Sequence, residues 1–267
     1  MRPFTAVPPT STPCKPICSP LPPLPVDALF CDPARRTATG QRILRVADYQ
    51  PPLTFLARWR EQTPSVAIKI SPAVAEGEIP ATAEAEFISV GGELKECVLW
   101  WGELHSGVNR RATQLPSGAS MGWRPLSAPV PITPPRAYLY EPDPAILRAG
   151  LVEQLAEELG AAKISADIAY LTHDTAVPTP WARCFALEAW FPFQLKRLRH
   201  YLREQGIGRV TIKKRGSPLD VDWLQRQLRL KGGREAILFL TQVGGGGRVG
   251  GQSRVVGIWV YWYSGVF

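Results

Sequence analysis

Short apolar runs, set apart by proline and glycine, organise the chain from residue 26 onward, and their periods separate strands from helices. The run 26–31 (Val26-Asp27-Ala28-Leu29-Phe30-Cys31) reads as a buried strand that delivers Asp32 to its carboxyl end. Leu53, Phe55, Leu56 and Trp59 recur at helical spacing and predict a helix over 53–62. Val66-Ala67-Ile68-Lys69-Ile70 predicts a strand stopped by Pro72. Segment 86–90 runs into Gly91-Gly92 and is followed by the apolar 97–101, the pattern of an antiparallel pair. A further strand is expected at 111–115.

A second unit follows a stretch rich in proline, serine and glycine. Asp143 is placed as a helix N-cap with Pro144 in the first turn. Ile146, Leu147, Leu151, Leu155 and Leu159 carry that helix to a stop at Gly160. Strands at 168–171 and 184–190, a helix at 194–204, a strand at 209–213, a helix at 221–230 and a strand at 236–241 complete an α+β pattern. The expected division is therefore 21–115, a linker 116–137, a domain 138–243 and a glycine-rich tail 244–267. The glycine run 244–251 lacks both the Gly-Lys-Ser/Thr and the following helix of a phosphate loop, so it reads as tail.

Composition adds two points. Nine of the first 25 residues are proline, which leaves 1–20 unable to bury enough surface to order itself. The five cysteines form no repeated pair: Cys14 and Cys18 find no second Cys or His pair, so no metal site is expected. An odd cysteine count with no secretory signal fits a reducing cytoplasm. The apolar run near the C-terminus is far shorter than the ~20 residues of a membrane span.

The formal net charge of +8 is compatible with a nucleic-acid partner, and its position matters more than its size. Between 191 and 235 lie Lys196, Arg197, Arg199, Arg203, Arg209, Lys213, Lys214, Arg215, Arg226, Arg229, Lys231 and Arg234. Only Glu204, Asp220, Asp222 and Glu235 oppose them. Phosphate contact accounts for such an excess, and solvated helix faces are the ordinary alternative. Lys213-Lys214-Arg215-Gly216 favours contact, because it puts charge and open backbone together at a strand end.

Asp32 is the first candidate for chemistry: a carboxylate at a strand end beside Pro33 could orient, or take a proton from, a nucleophilic nitrogen. Arg35 and Arg36 could meet substrate phosphate or carboxylate, or pair with a surface acid such as Asp48 or Glu61. Lys69 could line the same crevice or reach solvent, and strand parity does not decide between them. His105, His173 and His200 build no triad.

Asp32-Pro33-Ala34-Arg35-Arg36 resembles the motif after the fourth strand of class I S-adenosylmethionine-dependent methyltransferases. The second unit resembles the THUMP-like domain that follows such a methyltransferase domain in a bacterial family. That second match rests on Tyr140-Glu141-Pro142-Asp143-Pro144-Ala145 with Arg148-Ala149-Gly150, on Ile168-Ala169-Tyr170-Leu171-Thr172, on Leu195-Lys196-Arg197-Leu198, and on 208–216. Together with Asp32-Pro33-Ala34-Arg35-Arg36 and Ser89-Val90-Gly91-Gly92-Glu93, in the same order, the resemblance covers roughly 21–245. The resemblance implies an α/β fold: a truncated Rossmann-like methyltransferase sheet followed by a small α+β THUMP-like domain.

It also implies S-adenosylmethionine as cofactor and RNA, most plausibly tRNA, as methyl acceptor. Asp32 and Pro33 would line the target pocket. Arg35, Lys69, Lys196, Arg197, Lys213, Lys214 and Arg215 would contact substrate. The cofactor's glycine-rich loop comes before this motif in that fold, whereas the first glycine here is Gly40. The expectation is a C-terminal portion, poor at binding cofactor on its own, with a possible partner chain completing the sheet. The alternative is a non-catalytic RNA-binding protein that uses the basic domain.

Overall fold

The computed structural model describes residues 26–37, 39–41, 43, 45–244 and 255–262. Two sheets account for most of the described chain. The first contains β1 (Ala28–Cys31), β2 (Ser65–Ile70), β3 (Glu84–Val90), β4 (Glu93–Trp100), β5 (Arg110–Leu115) and β6 (Ala119–Gly122), in the order β1-β2-β4-β3-β5-β6. Helix α1 (Leu53–Arg60) connects β1 to β2, which pair in parallel. The hairpin β3–β4 then docks antiparallel on β2. Its turn is Gly91-Gly92, both at positive φ, where glycine carries no Cβ penalty. β2 is buried at every position but Lys69, which explains why apolar residues fall on both of its faces.

The second sheet is seven-stranded, in the order β11-β12-β13-β10-β7-β9-β8. In chain order its elements are β7 (Tyr138–Pro142), α2 (Pro144–Ala149), α3 (Val152–Leu159), β8 (Ala162–Lys163), β9 (Leu171–His173) and β10 (Ala182–Pro192). There follow α4 (Leu195–Glu204), β11 (Ile207–Arg215), α5 (Val221–Leu228), β12 (Arg234–Gln242) and β13 (Val255–Trp262). One face packs Val210, Leu238 and Leu240 under Leu198 and Leu202 of α4 and Leu224 and Leu228 of α5. The opposite face carries Leu139, Phe185 and Phe239, covered by Ile164, Ile168 and Tyr170.

Several expectations need correction. The single helix expected from Pro144 to Gly160 is two: Gly150 adopts the left-handed conformation, φ +70°, and ends α2. Asp143 does cap it, its side chain accepting from the Ala145 amide at 2.8 Å. The strand expected at 168–171 starts only at Leu171, because Ile168 and Tyr170 serve as loop anchors in the second core. The expected linker 116–137 contains β6, which pairs with β5 across a tight turn.

The expected tail 244–267 contains β13, hydrogen-bonded antiparallel to both β10 and β12, so its apolar pattern is that of an interior strand. Residue 138 also does not separate two cores. Ala145, Ile146 and Ala149 of α2 lie in one apolar cluster with Ala85, Phe87 and Ala112 of the first sheet. The expected disorder at 1–20, the Cys14 and Cys18 pair and most of the glycine run fall outside the described residues.

Candidate functional site

Register places the first candidates. Cys31 is the partner of Ile68 in the parallel β1–β2 ladder, so Asp32 emerges beside Lys69. The Lys69 Nζ lies 3.3 Å from Asp32 Oδ2 and 3.3 Å from Glu96 Oε2 of β4. Asp32 keeps 48% of its side chain exposed, against 27% for Lys69. Hydrogen bonds to Asp32 first, and then to Glu96, raise the Lys69 pKa above the ordinary lysine value. An exposed pair of this kind adds at most about 1 kcal/mol to stability. Its larger effect is to fix where the Asp32 carboxylate points.

The turn after Asp32 is held by backbone. Pro33 is buried, Ala34 exchanges hydrogen bonds with Gln50 (2.8 and 3.3 Å), and the Arg35 carbonyl accepts from the Ile43 amide at 2.8 Å. Arg36 is spent locally, donating to the Gly40 carbonyl at 3.1 Å. Arg35 carries no ion pair among the described residues. The neighbouring Cys31 thiol is pushed up by burial and by Asp32, away from nucleophilic character.

A buried charge network lies further along the same sheet, and sequence reasoning missed it. Glu84 is fully buried and Glu86 nearly so. Arg111 of β5 pairs with both, its Nη2 standing 3.2 Å from Glu86 Oε2. Thr113 Oγ1 and Trp100 Nε1 also donate to Glu86, at 2.5 and 2.8 Å. The only sequence signal is two glutamates at period two inside an apolar strand. With every acceptor satisfied, the network is structural.

The basic group divides. Lys196 and Arg197 are exposed on α4, on the helix-covered side of the second sheet, with Arg197 4.5 Å over the Phe191 ring. Lys214 donates to the Leu219 carbonyl at 3.0 Å on that side. Lys213 and Arg215 lie on the other side. Lys213 pairs with Glu141 and sits 5.5 Å over the Phe185 ring. Arg215 lies 4.6 Å over Tyr170 and donates to the Ala169 carbonyl at 3.1 Å. The expected substrate-binding cations therefore do not form one surface, because β11 sends alternate side chains to opposite faces. Among the described residues no His, Cys, Asp or Glu cluster could hold a metal, and no helix is long and apolar enough to cross a membrane.

Lys213 and Arg215 open into a cleft of about 830 Å³ between the two sheets. It is also bounded by Gly91, Gly92, Gln114, Pro142, Pro178 and Arg183. Arg183 was not singled out in the sequence, since it stands alone between Ala182 and Cys184.

Residues 182–251 match the family model described as THUMP domain-like. Two proteins from two strains of Mycobacterium tuberculosis, each described as an uncharacterized S-adenosylmethionine-dependent methyltransferase, are 35% identical over 220 residues. The match takes in 80% of this chain and 60% of each relative, so the chain spans about three fifths of their length. The chain is similar to S-adenosylmethionine-dependent methyltransferases with a THUMP-like domain. A crystal structure described as a "putative methyltransferase" from Porphyromonas gingivalis superposes with a TM-score of 0.67 at 21% identity, over 88% of this chain and 59% of that one. At that identity the likeness bears on the fold alone, and it agrees with an α/β methyltransferase-type sheet joined to a THUMP-like domain.

Proposed function

We propose that this chain forms the methyl-acceptor side of an S-adenosylmethionine-dependent methyltransferase that acts on RNA, with tRNA the first candidate. The observation that carries the reading is Asp32, set at the carboxyl end of a parallel strand and oriented by Lys69. Ligands of open α/β sheets bind outside those strand ends. The similarity to proteins described as S-adenosylmethionine-dependent supports the cofactor, and the THUMP-like match supports RNA.

In this reading the Asp32 carboxylate accepts a hydrogen bond from the nucleophilic nitrogen of the acceptor and holds its proton, while Lys69 keeps the carboxylate in place. Buried Pro33 shapes the wall and Arg35 meets the substrate. Lys196 and Arg197 on one side of the second sheet and Arg215 on the other supply positive potential toward phosphates, while Lys213 is held by Glu141. Lys214 contributes charge while bound to the Leu219 carbonyl.

Among the described residues, the groups around Asp32 do not form a cradle for the cofactor. They are a charged trio beside a proline, without a glycine-rich strand-to-helix turn or an acid placed to grip a ribose. Among the described residues β1 pairs only with β2, and Phe30 on it is 53% exposed. That edge suits a further strand, from the rest of a longer protein or from a partner chain. The thiols of Cys31, Cys97 and Cys184 are unpaired, which supports a cytoplasmic setting.

Calorimetry on this chain tests the reading. The expected result is tRNA binding that weakens steeply with salt, together with S-adenosylmethionine binding too weak to measure at micromolar concentration. Micromolar cofactor binding would contradict the missing cradle. Absence of tRNA binding at low salt would contradict the acceptor.

A further inference from the structure

The cleft between the sheets has a composition that the methyl-transfer site does not use. We propose that it holds one nucleotide of the RNA strand, with the phosphate on Arg183 and the base against the proline-lined wall; this rests on the RNA reading above. The argument begins with charge. Arg183 of β10 stands opposite Glu141 of β7 in the ladder. Glu141 is taken by Lys213 instead, so the Arg183 guanidinium has no ion pair or hydrogen bond among the described residues, and the residue is exposed. Asp143, the other acid of the cleft, is 8% exposed and occupied as the cap of α2.

Arg215 is satisfied by a carbonyl, which orders the guanidinium without neutralising it. The cleft therefore keeps uncompensated positive charge. Guanidinium forks match phosphate oxygens in pairs.

Shape agrees with charge. The turn of the β3–β4 hairpin makes room for the guanidinium: a Cβ on Gly92 would lie 2.9 Å from Arg183 Nη2. Pro142, Pro178 and Pro180 line the same cleft, with Pro178 and Pro180 exposed, so its wall offers apolar contact to a base. The volume of about 830 Å³ falls within the ~300–1,000 Å³ of small-molecule sites. The site also joins the two sheets, so a strand seated there would run from the THUMP-like domain toward the methyltransferase sheet.

Fluorescence anisotropy with a labelled single-stranded RNA oligonucleotide tests this, using the wild type, Arg183→Glu and the milder Arg183→Gln, each checked by thermal melting. The expected result is about tenfold weaker binding for Arg183→Gln and more for Arg183→Glu. Melting should be unchanged, and the salt slope should fall by about 0.7, the contribution of one phosphate on a single strand. Wild-type binding that is indifferent to both variants overturns the cleft and leaves the RNA reading standing. A wild type that binds no RNA overturns both. Tighter binding of free adenosine monophosphate than of the oligonucleotide would overturn the assignment to a strand.

Discussion

Lys69 and Asp32 meet across a parallel strand pair, Nζ to Oδ2 at 3.3 Å, and Glu96 holds the same ammonium from the other side at 3.3 Å. One lysine thus fixes the direction of the carboxylate on which the proposed chemistry depends. Because the folded-state pKa of Lys69 is raised, the pair is fully formed below the ordinary lysine value and is lost as pH rises through the raised one. Nitrogen-detected NMR should find the Lys69 ammonium titrating above the ordinary lysine value. Asp32→Asn should lower it, and identical titration in wild type and variant would show that the pair does not form in solution.

Arg111 is expected to be indispensable for folding. Replacing it with Met leaves Glu86 buried without a cation and Glu84 with only the His105 ring, 3.8 Å away. Removing one partner of a buried pair costs about 3–5 kcal/mol. Chemical denaturation should show a loss of that size for Arg111→Met. A loss below about 1 kcal/mol would mean that the carboxylates find water.

Glu157 ties the segment after β6 to α3. It accepts from the Ser127 amide at 2.6 Å and pairs with Arg124, and these contacts with Ser127 and Arg124 lower its pKa to about 2. A depressed carboxylate stabilises above its unfolded pKa, and that contribution fades as pH falls toward the folded value. Glu157→Gln should therefore be less stable than wild type at neutral pH. The gap should close between the ordinary glutamate range and about 2. Urea midpoints across that range check it, and a gap independent of pH would assign the loss to packing.

Ile146 tests whether α2 belongs to the first core. It is fully buried in the cluster that includes Phe87 and Ala112. Truncation to Ala should cost about 2–5 kcal/mol. Amide exchange should then quicken in β3 and β5 more than in β11 and β12, and the opposite pattern would return α2 to the second unit alone.

What the sequence disclosed follows from how local each signal is. Asp143, Pro144 and Gly160 act within one turn, and their roles were legible as caps and stops. The β3–β4 hairpin was legible from Gly91-Gly92. β13 was not, because its place between β10 and β12 depends on pairing across a long glycine-rich connection. The break at Gly150 was hidden by apolar spacing that continues through it. In the site, Asp32 could be named from its motif, but its tie to Lys69 and Glu96 depends on strand register. Arg183 carried no motif at all. Its place in the proposed nucleotide site follows from Glu141 pairing with Lys213, which is settled only in three dimensions.

The most direct test of the account is transfer of tritium-labelled methyl groups from S-adenosylmethionine to total RNA by the whole protein isolated from its own cells, compared with the same protein carrying Asp32→Asn. The account predicts label in the tRNA fraction for the wild type and a loss of at least a hundredfold for the variant, the usual scale of a general acid–base group. Cofactor binding without label in any RNA fraction, or full transfer by Asp32→Asn, would contradict it.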